Sequence, residues 1–187
     1  QPRDENRPWS IFPTRGGMTP GDDALTPVRQ LAINFGAPGE RKDSDGILWF
    51  GYPRPTLRSI QVRWAMQVPL EVEILPEMGY FERNFRGLRI KGTDKPWLFA
   101  SGCLGLTKCD VPVIGKGDKP ASYTVRLCFA APPGDRPGQR VFHVRLQDKV
   151  VLKDFDIVRA AGAPQTALVK EFRGIHVAGK LSIELVP

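Results

Sequence analysis

The feature that most constrains this chain is the run of short alternating segments between residues 123 and 187. Tyr123-Thr-Val-Arg-Leu-Cys-Phe129, Val141-Phe-His-Val-Arg-Leu146 and Leu181-Ser-Ile-Glu-Leu185 each place apolar side chains at every second position. A period of two gives a strand one face for a core and one for water. Val150-Val-Leu-Lys-Asp-Phe-Asp-Ile157 lies between the last two and runs into a segment rich in Gly, Ala and Pro. The 18 prolines and 19 glycines of the 187 residues favour many turns over long helices, because Pro lacks the backbone donor and Gly tolerates positive φ.

Further strands are expected at Leu31-Ala-Ile-Asn-Phe35, Gly46-Ile-Leu-Trp-Phe50, Ser59-Ile-Gln-Val-Arg-Trp64 and Leu70-Glu-Val-Glu-Ile-Leu75. Residues 88–91, Trp97-Leu-Phe-Ala-Ser101 and Val111-Pro-Val-Ile114 read as strand-like, with a Gly/Cys loop between the last two. Residues 1–27 hold many prolines and charges without periodicity and read as an irregular arm or linker, able to pack through Trp9, Ile11 and Phe12. No segment repeats at a fixed period, which excludes a propeller or solenoid. Many short strands separated by turn signals predict an all-β fold, a jelly-roll-like antiparallel β-sandwich with few short helices, occupying residues 28–187 as one domain.

Charge and cysteine content narrow the function classes. The formal net charge is +7, yet Lys and Arg are interleaved with acids, which describes a solvated surface rather than a nucleic-acid footprint. The densest basic stretch, Arg83, Arg86, Arg89 and Lys91, is broken by glycine and apolar residues. Of the cysteines, Cys103 and Cys109 are the candidates for a small bridge in an oxidising compartment, whereas Cys128 reads as a free thiol. His143 and His176 lie far from the cysteines in sequence, so no zinc-like ligand set forms and no metal or cofactor is implied. No apolar run is long enough for a membrane helix, so no membrane insertion is expected. The chain opens on Gln1 without an initiating methionine and reads as a piece of something longer, its signal peptide lying outside it.

No constellation of catalytic type is visible. Asp154 and Asp156 sit on one short segment around Phe155, whereas glycosidase carboxylates must straddle a bond across a cleft. Their expected role is to accept backbone N–H bonds at a strand end. Ser101-Gly102 lacks the strand–turn–helix elbow of a hydrolase.

The residues from Tyr123-Thr-Val-Arg-Leu-Cys-Phe-Ala130 through Gly138-Gln-Arg-Val-Phe-His-Val-Arg-Leu146 and Val151-Leu-Lys-Asp-Phe-Asp-Ile-Val158 resemble the malectin and malectin-like carbohydrate-binding domains. Ala161-Gly162, Glu171-Phe172 and Gly179-Lys-Leu-Ser-Ile-Glu-Leu185 continue the likeness, and Ile33-Asn-Phe-Gly36 with Asp45-Gly-Ile-Leu-Trp49 is similar to the family's opening element. The resemblance covers about residues 31–50 and 97–185. Residues 51–96 read as an elaboration.

The resemblance implies a non-catalytic carbohydrate-binding module of a larger exported protein, whether periplasmic, cell-surface or secreted. The alternative is an interaction or assembly module that keeps the sandwich without the sugar site, with other domains or subunits as partners. Sugar-binding members present aromatic side chains on loops with an Asp near the C-terminal strand. Here the loops after Phe99 and Phe129 carry no aromatic, and that last strand is expected beyond Pro187. A glycan site is therefore assembled from Trp49 and Tyr52 beside Asp43 and Asp45, from Trp97, and from Tyr80 and Phe81, with Arg86 for an acidic group.

Overall fold

A computed structural model describes residues 27–53, 70–84 and 86–187 of the chain. The expected arm at 1–26, the strand expected at 59–64 and the side chains of Trp9, Ile11 and Phe12 lie outside the described residues.

The strands, in chain order, are β1 (Ala32–Phe35), β2 (Arg41–Lys42), β3 (Leu48–Tyr52), β4 (Glu71–Ile74), β5 (Tyr80–Glu82), β6 (Ser101–Cys103), β7 (Leu106–Pro112), β8 (Ala121–Phe129), β9 (Val141–Leu146), β10 (Lys149–Asp156), β11 (Leu168–Val177) and β12 (Lys180–Val186). A 3-10 helix, Pro96–Phe99, precedes β6, and the short helix α1 (Ile157–Ala161) follows β10. The body is an all-β sandwich. Its larger sheet runs β10-β9-β12-β7-β4, entirely antiparallel, and its facing layer is the antiparallel pair β11-β8.

Alternation in sequence becomes burial in space. Val144 and Leu146 of β9 are 0% and 1% exposed, and with Cys109, Val111 and Leu181 they form the inner face of the large sheet. Val125 of β8 and Val177 of β11 meet them from the other layer, and Tyr123, Leu127, Phe172 and Ile175 pack around the seam. The rings of Phe129, Phe142 and Phe155 form a second cluster, with centroids 5.2 to 6.1 Å apart.

Turn chemistry sets the registers. Leu146 pairs with Lys149, so Gln147 and Asp148 close the β9–β10 hairpin, both at positive φ (48° and 63°) as a type I′ turn requires. Asp156 caps α1: its carboxylate accepts the Arg159 N–H at 3.0 Å and the Gly138 N–H at 2.5 Å. Those bonds, together with burial that opposes them, leave the group below its ordinary pKa. This is the backbone-accepting role expected of a carboxylate there. Asp154, by contrast, is exposed, and its own N–H donates to Nδ1 of His143 at 3.0 Å.

Several expectations need correction. Residues 97–99 form a 3-10 helix opened by Pro96 rather than a strand, since Pro presets helical φ and has no N–H for a ladder. The segment read as a Gly/Cys loop holds β6 and the start of β7. Residues 88–91 form no strand beyond an isolated bridge from Lys91 to Thr166. β1 and β3 pair in parallel, Ala32 with Trp49 through Phe35 with Tyr52, beside the antiparallel β2. The ten-residue β11 was not foreseen as a strand. Its apolar period slips between Phe172 and Ile175, where a bulge with Gly174 at φ 70° inserts an extra residue.

The Cys103–Cys109 bridge is also absent: both are free thiols, as is Cys128. Cys109 is 2% exposed on the core face of β7 rather than in a loop. Cys103 sits on β6 with its thiol toward the Leu104 carbonyl.

Candidate functional site

The most highly connected polar group among the predicted site residues is Asp43, at the tip of the β2–β3 hairpin. Its Oδ1 accepts the backbone N–H groups of Asp45 and Ile47, each at 2.9 Å. Its Oδ2 accepts Nε1–H of Trp49 at 3.0 Å and an ammonium proton of Lys95 at 2.9 Å. Gly46, at φ 82°, lets the chain turn beneath the carboxylate. Burial alone would raise the Asp43 pKa. The bonds from Trp49, Lys95 and Ile47, with the Lys95 charge, hold it instead at about 2.

Lys95 ties two distant parts of the chain together. Its ammonium donates to Asp45 as well as Asp43, and these bonds raise its pKa. Two residues on, Trp97 stands edge-to-face with Trp49, ring centroids 6.3 Å apart. The Arg41 guanidinium lies 4.6 Å from the Trp97 ring centre. Trp49, Trp97, Asp43 and Asp45 therefore come together, joined by Lys95 and Arg41, which the sequence did not single out. Lys95 and Asp45 are 50 residues apart, so no local pattern announces the pairing. Its one sequence signal is the Lys95-Pro96-Trp97 order, which brings the lysine and the indole from one segment.

The remaining predicted residues do not join this group. Tyr52 and Tyr80 pack on Phe35 and on each other, with centroids 5.9 to 6.1 Å apart. The Tyr52 hydroxyl reaches the Leu70 carbonyl at 3.5 Å. Burial, reinforced by Tyr52, pushes the Tyr80 phenol up to about 12. Both tyrosines are half-buried inner-wall groups. Phe81 of β5 lies under the Arg83 guanidinium, 5.2 Å from its ring centre, and against Gly102. Arg86 is exposed in a turn where its backbone N–H donates to Asn84 at 3.0 Å.

Burial pushes the thiols of Cys103 and Cys109 up to about 11 and about 12, which keeps them protonated near neutrality and poorly nucleophilic. Asp43 accepts four hydrogen bonds, and the Lys95 ammonium donates two. Among the described residues, no group of His, Cys, Asp and Glu is placed to hold a metal ion, and no helix is long and apolar enough to cross a membrane.

A family model described as the malectin domain matches residues 29–186. No protein among the curated sequences matches. Among solved structures, the chain is similar to β-glucuronidase of Bacteroides uniformis, with TM-score 0.58, 14% identity and coverage of 83% of this chain and 16% of that one. It is also similar to the extracellular domain of ANXUR1 from Arabidopsis thaliana (TM-score 0.51, 13% identity, 84% of this chain and 42% of that one). The extracellular domain of ANXUR2 gives TM-score 0.50 at 13% identity, covering 84% of this chain and 43% of that one. At such identities the likeness is one of fold. The chain spans only a fraction of each neighbour's length.

Proposed function

Because the chain belongs to the malectin-domain family, we propose that it is a non-catalytic carbohydrate-binding module of a larger exported protein, formed by residues 28–187 as one domain. The observation that carries the reading is the Trp49–Trp97 pair with the Lys95–Asp45 ion pair beside it. Indole surface suits the C–H face of a pyranose, and neighbouring charged donors and acceptors suit its hydroxyls. Trp49 is held by Asp43 before any ligand arrives, which lowers the ordering cost of binding. Tyr52 and Tyr80 act as the wall behind this surface rather than as contacts. The extracellular domains among its structural neighbours agree with an exported location.

The test is tryptophan fluorescence during titration with neutral oligosaccharides. The expected result is a saturable shift in the parent chain that is lost in Trp97→Ala while the far-UV circular dichroism stays unchanged. A flat parent response across neutral and acidic sugars, with a mass in light scattering that rises with concentration, would replace this reading with an interaction module. The exposed Met78 and Leu75, 53% and 37% accessible, are the apolar residues that favour that second reading.

A further inference from the structure

The two outer faces of the sandwich differ in electrostatic character. On the large sheet the charged residues oppose one another in sign: Arg145 stands across from Glu184, Glu184 from Lys108, and Lys108 from Glu73. Ion pairs from Arg145 to Glu184, Lys108 to Asp110 and Lys180 to Glu71 complete a face on which each named cation is paired with an acid.

The outer face of β8–β11 does not cancel. The only acid in either strand is Glu171, and on this face it stands against Arg126 and Arg173, while Lys170 turns to the other side over the Phe155 ring. Register places Arg126 directly opposite Glu171, and Arg173 follows two residues along β11 on the same side. One carboxylate therefore receives both guanidiniums: Nε of Arg126 lies 2.6 Å from Oε2, and Nε of Arg173 lies 2.6 Å from Oε1. Each arginine uses only its Nε in this clamp, and among the described residues the Nη groups of both have no partner. Both side chains are open to solvent, at 61% and 82% exposure. Two positive charges against one negative leave a net positive centre with outward donors, already ordered by Glu171. Ser122, Thr124 and His176 extend the exposed polar surface along the same two strands.

We propose that the outer face of β8–β11 is a docking surface for an acidic polysaccharide, whose carboxylate or sulfate groups are received by the Nη donors of Arg126 and Arg173. A guanidinium held at Nε presents a planar donor fork, which matches a carboxylate or sulfate better than it matches a neutral hydroxyl. The choice of a polysaccharide over other polyanions rests on the carbohydrate reading above. The site itself is separate from the tryptophan pair.

The experiment is affinity electrophoresis of the full chain through gels containing polygalacturonate, chondroitin sulfate or dextran, with a parallel titration of double-stranded DNA. Parent protein is expected to be retarded by the two acidic polymers, less so as salt rises, and not to bind DNA comparably. Arg126→Gln/Arg173→Gln is expected to weaken acidic-polymer binding by about tenfold or more. Arg173→Gln alone, at the most exposed position, should give a partial loss with an unchanged melting curve. Trp97→Ala should leave acidic-polymer retardation intact, so loss of the neutral-sugar response and loss of this surface are read separately. Equal retardation of parent and double variant, absence of retardation by either acidic polymer, or DNA binding as tight as polysaccharide binding would each overturn the proposal.

Discussion

At the residue scale, Asp43 and Gly36 show how single positions hold the β1–β3 region in place. Asp43 satisfies two backbone donors, an indole and an ammonium with one carboxylate. Asp43→Asn keeps the acceptor for Asp45 and Ile47 but sets an amide NH2 against Trp49 and Lys95. We expect a loss of about 2–3 kcal/mol in urea unfolding. The sign of the pH dependence follows from a folded pKa of about 2 against an ordinary 3.8. The stabilisation is fully present above about pH 4 and drains as pH falls toward 2, so an acid titration of stability should steepen in that window in the parent and not in Asp43→Asn. Gly36 poses a purely steric demand. At φ 70°, a Cβ there would lie 2.3 Å from the Phe81 carbonyl oxygen and 2.8 Å from that of Gly102. Backbone atoms cannot swing aside, and Gly36→Ala should cost about 3 kcal/mol or more in the same assay.

At the element scale, the β9–β10 hairpin offers a gain as well as a loss. Asp148 occupies a left-handed position, φ 63°, with an L side chain. Asp148→Gly removes that strain and should raise stability by about 0.5–1 kcal/mol, seen as a higher melting temperature. Gln147 has similar φ, but its side-chain amide donates to the Lys180 carbonyl at 3.1 Å and accepts the Ser182 N–H at 2.8 Å. Gln147→Gly should therefore destabilise, although the local backbone requirement is the same. These two substitutions differ only in whether the side chain reaches β12. β9 was legible from Val141-Phe-His-Val-Arg-Leu146 because alternation is a local pattern. β11 was not, because the bulge at Gly174 breaks the alternation that would reveal it, and β8, which makes it a strand, ends 39 residues before it begins.

At the scale of the whole molecule, the two layers are joined chiefly through β9, β7 and β12 against β8 and β11. Leu146 is 1% exposed at this seam. Leu146→Ala should cost about 3 kcal/mol, with fluorescence and circular dichroism transitions that still coincide, since the core is shared by both sheets. The same substitution should not alter acidic-polymer retardation measured under folding conditions, because Arg126 and Arg173 stand on the opposite side of β8–β11.

Alternating side chains carried the all-β character and the inward faces of β8 and β9, and the residues that resemble malectin domains carried the family. Both are properties of short windows, where the pleat alone dictates which side chains share a face. Contacts between distant segments were decided only by the folded chain. Closing a loop of 50 residues brought Lys95 to Asp45 and joined Trp49 to Trp97. Other pairings between distant segments stacked Tyr52 and Tyr80 on Phe35, put Cys103 and Cys109 on separate strands as free thiols, and set Arg126 and Arg173 on one carboxylate. Such pairings depend on how strands meet in register, and register is a relation between segments that neither segment contains by itself.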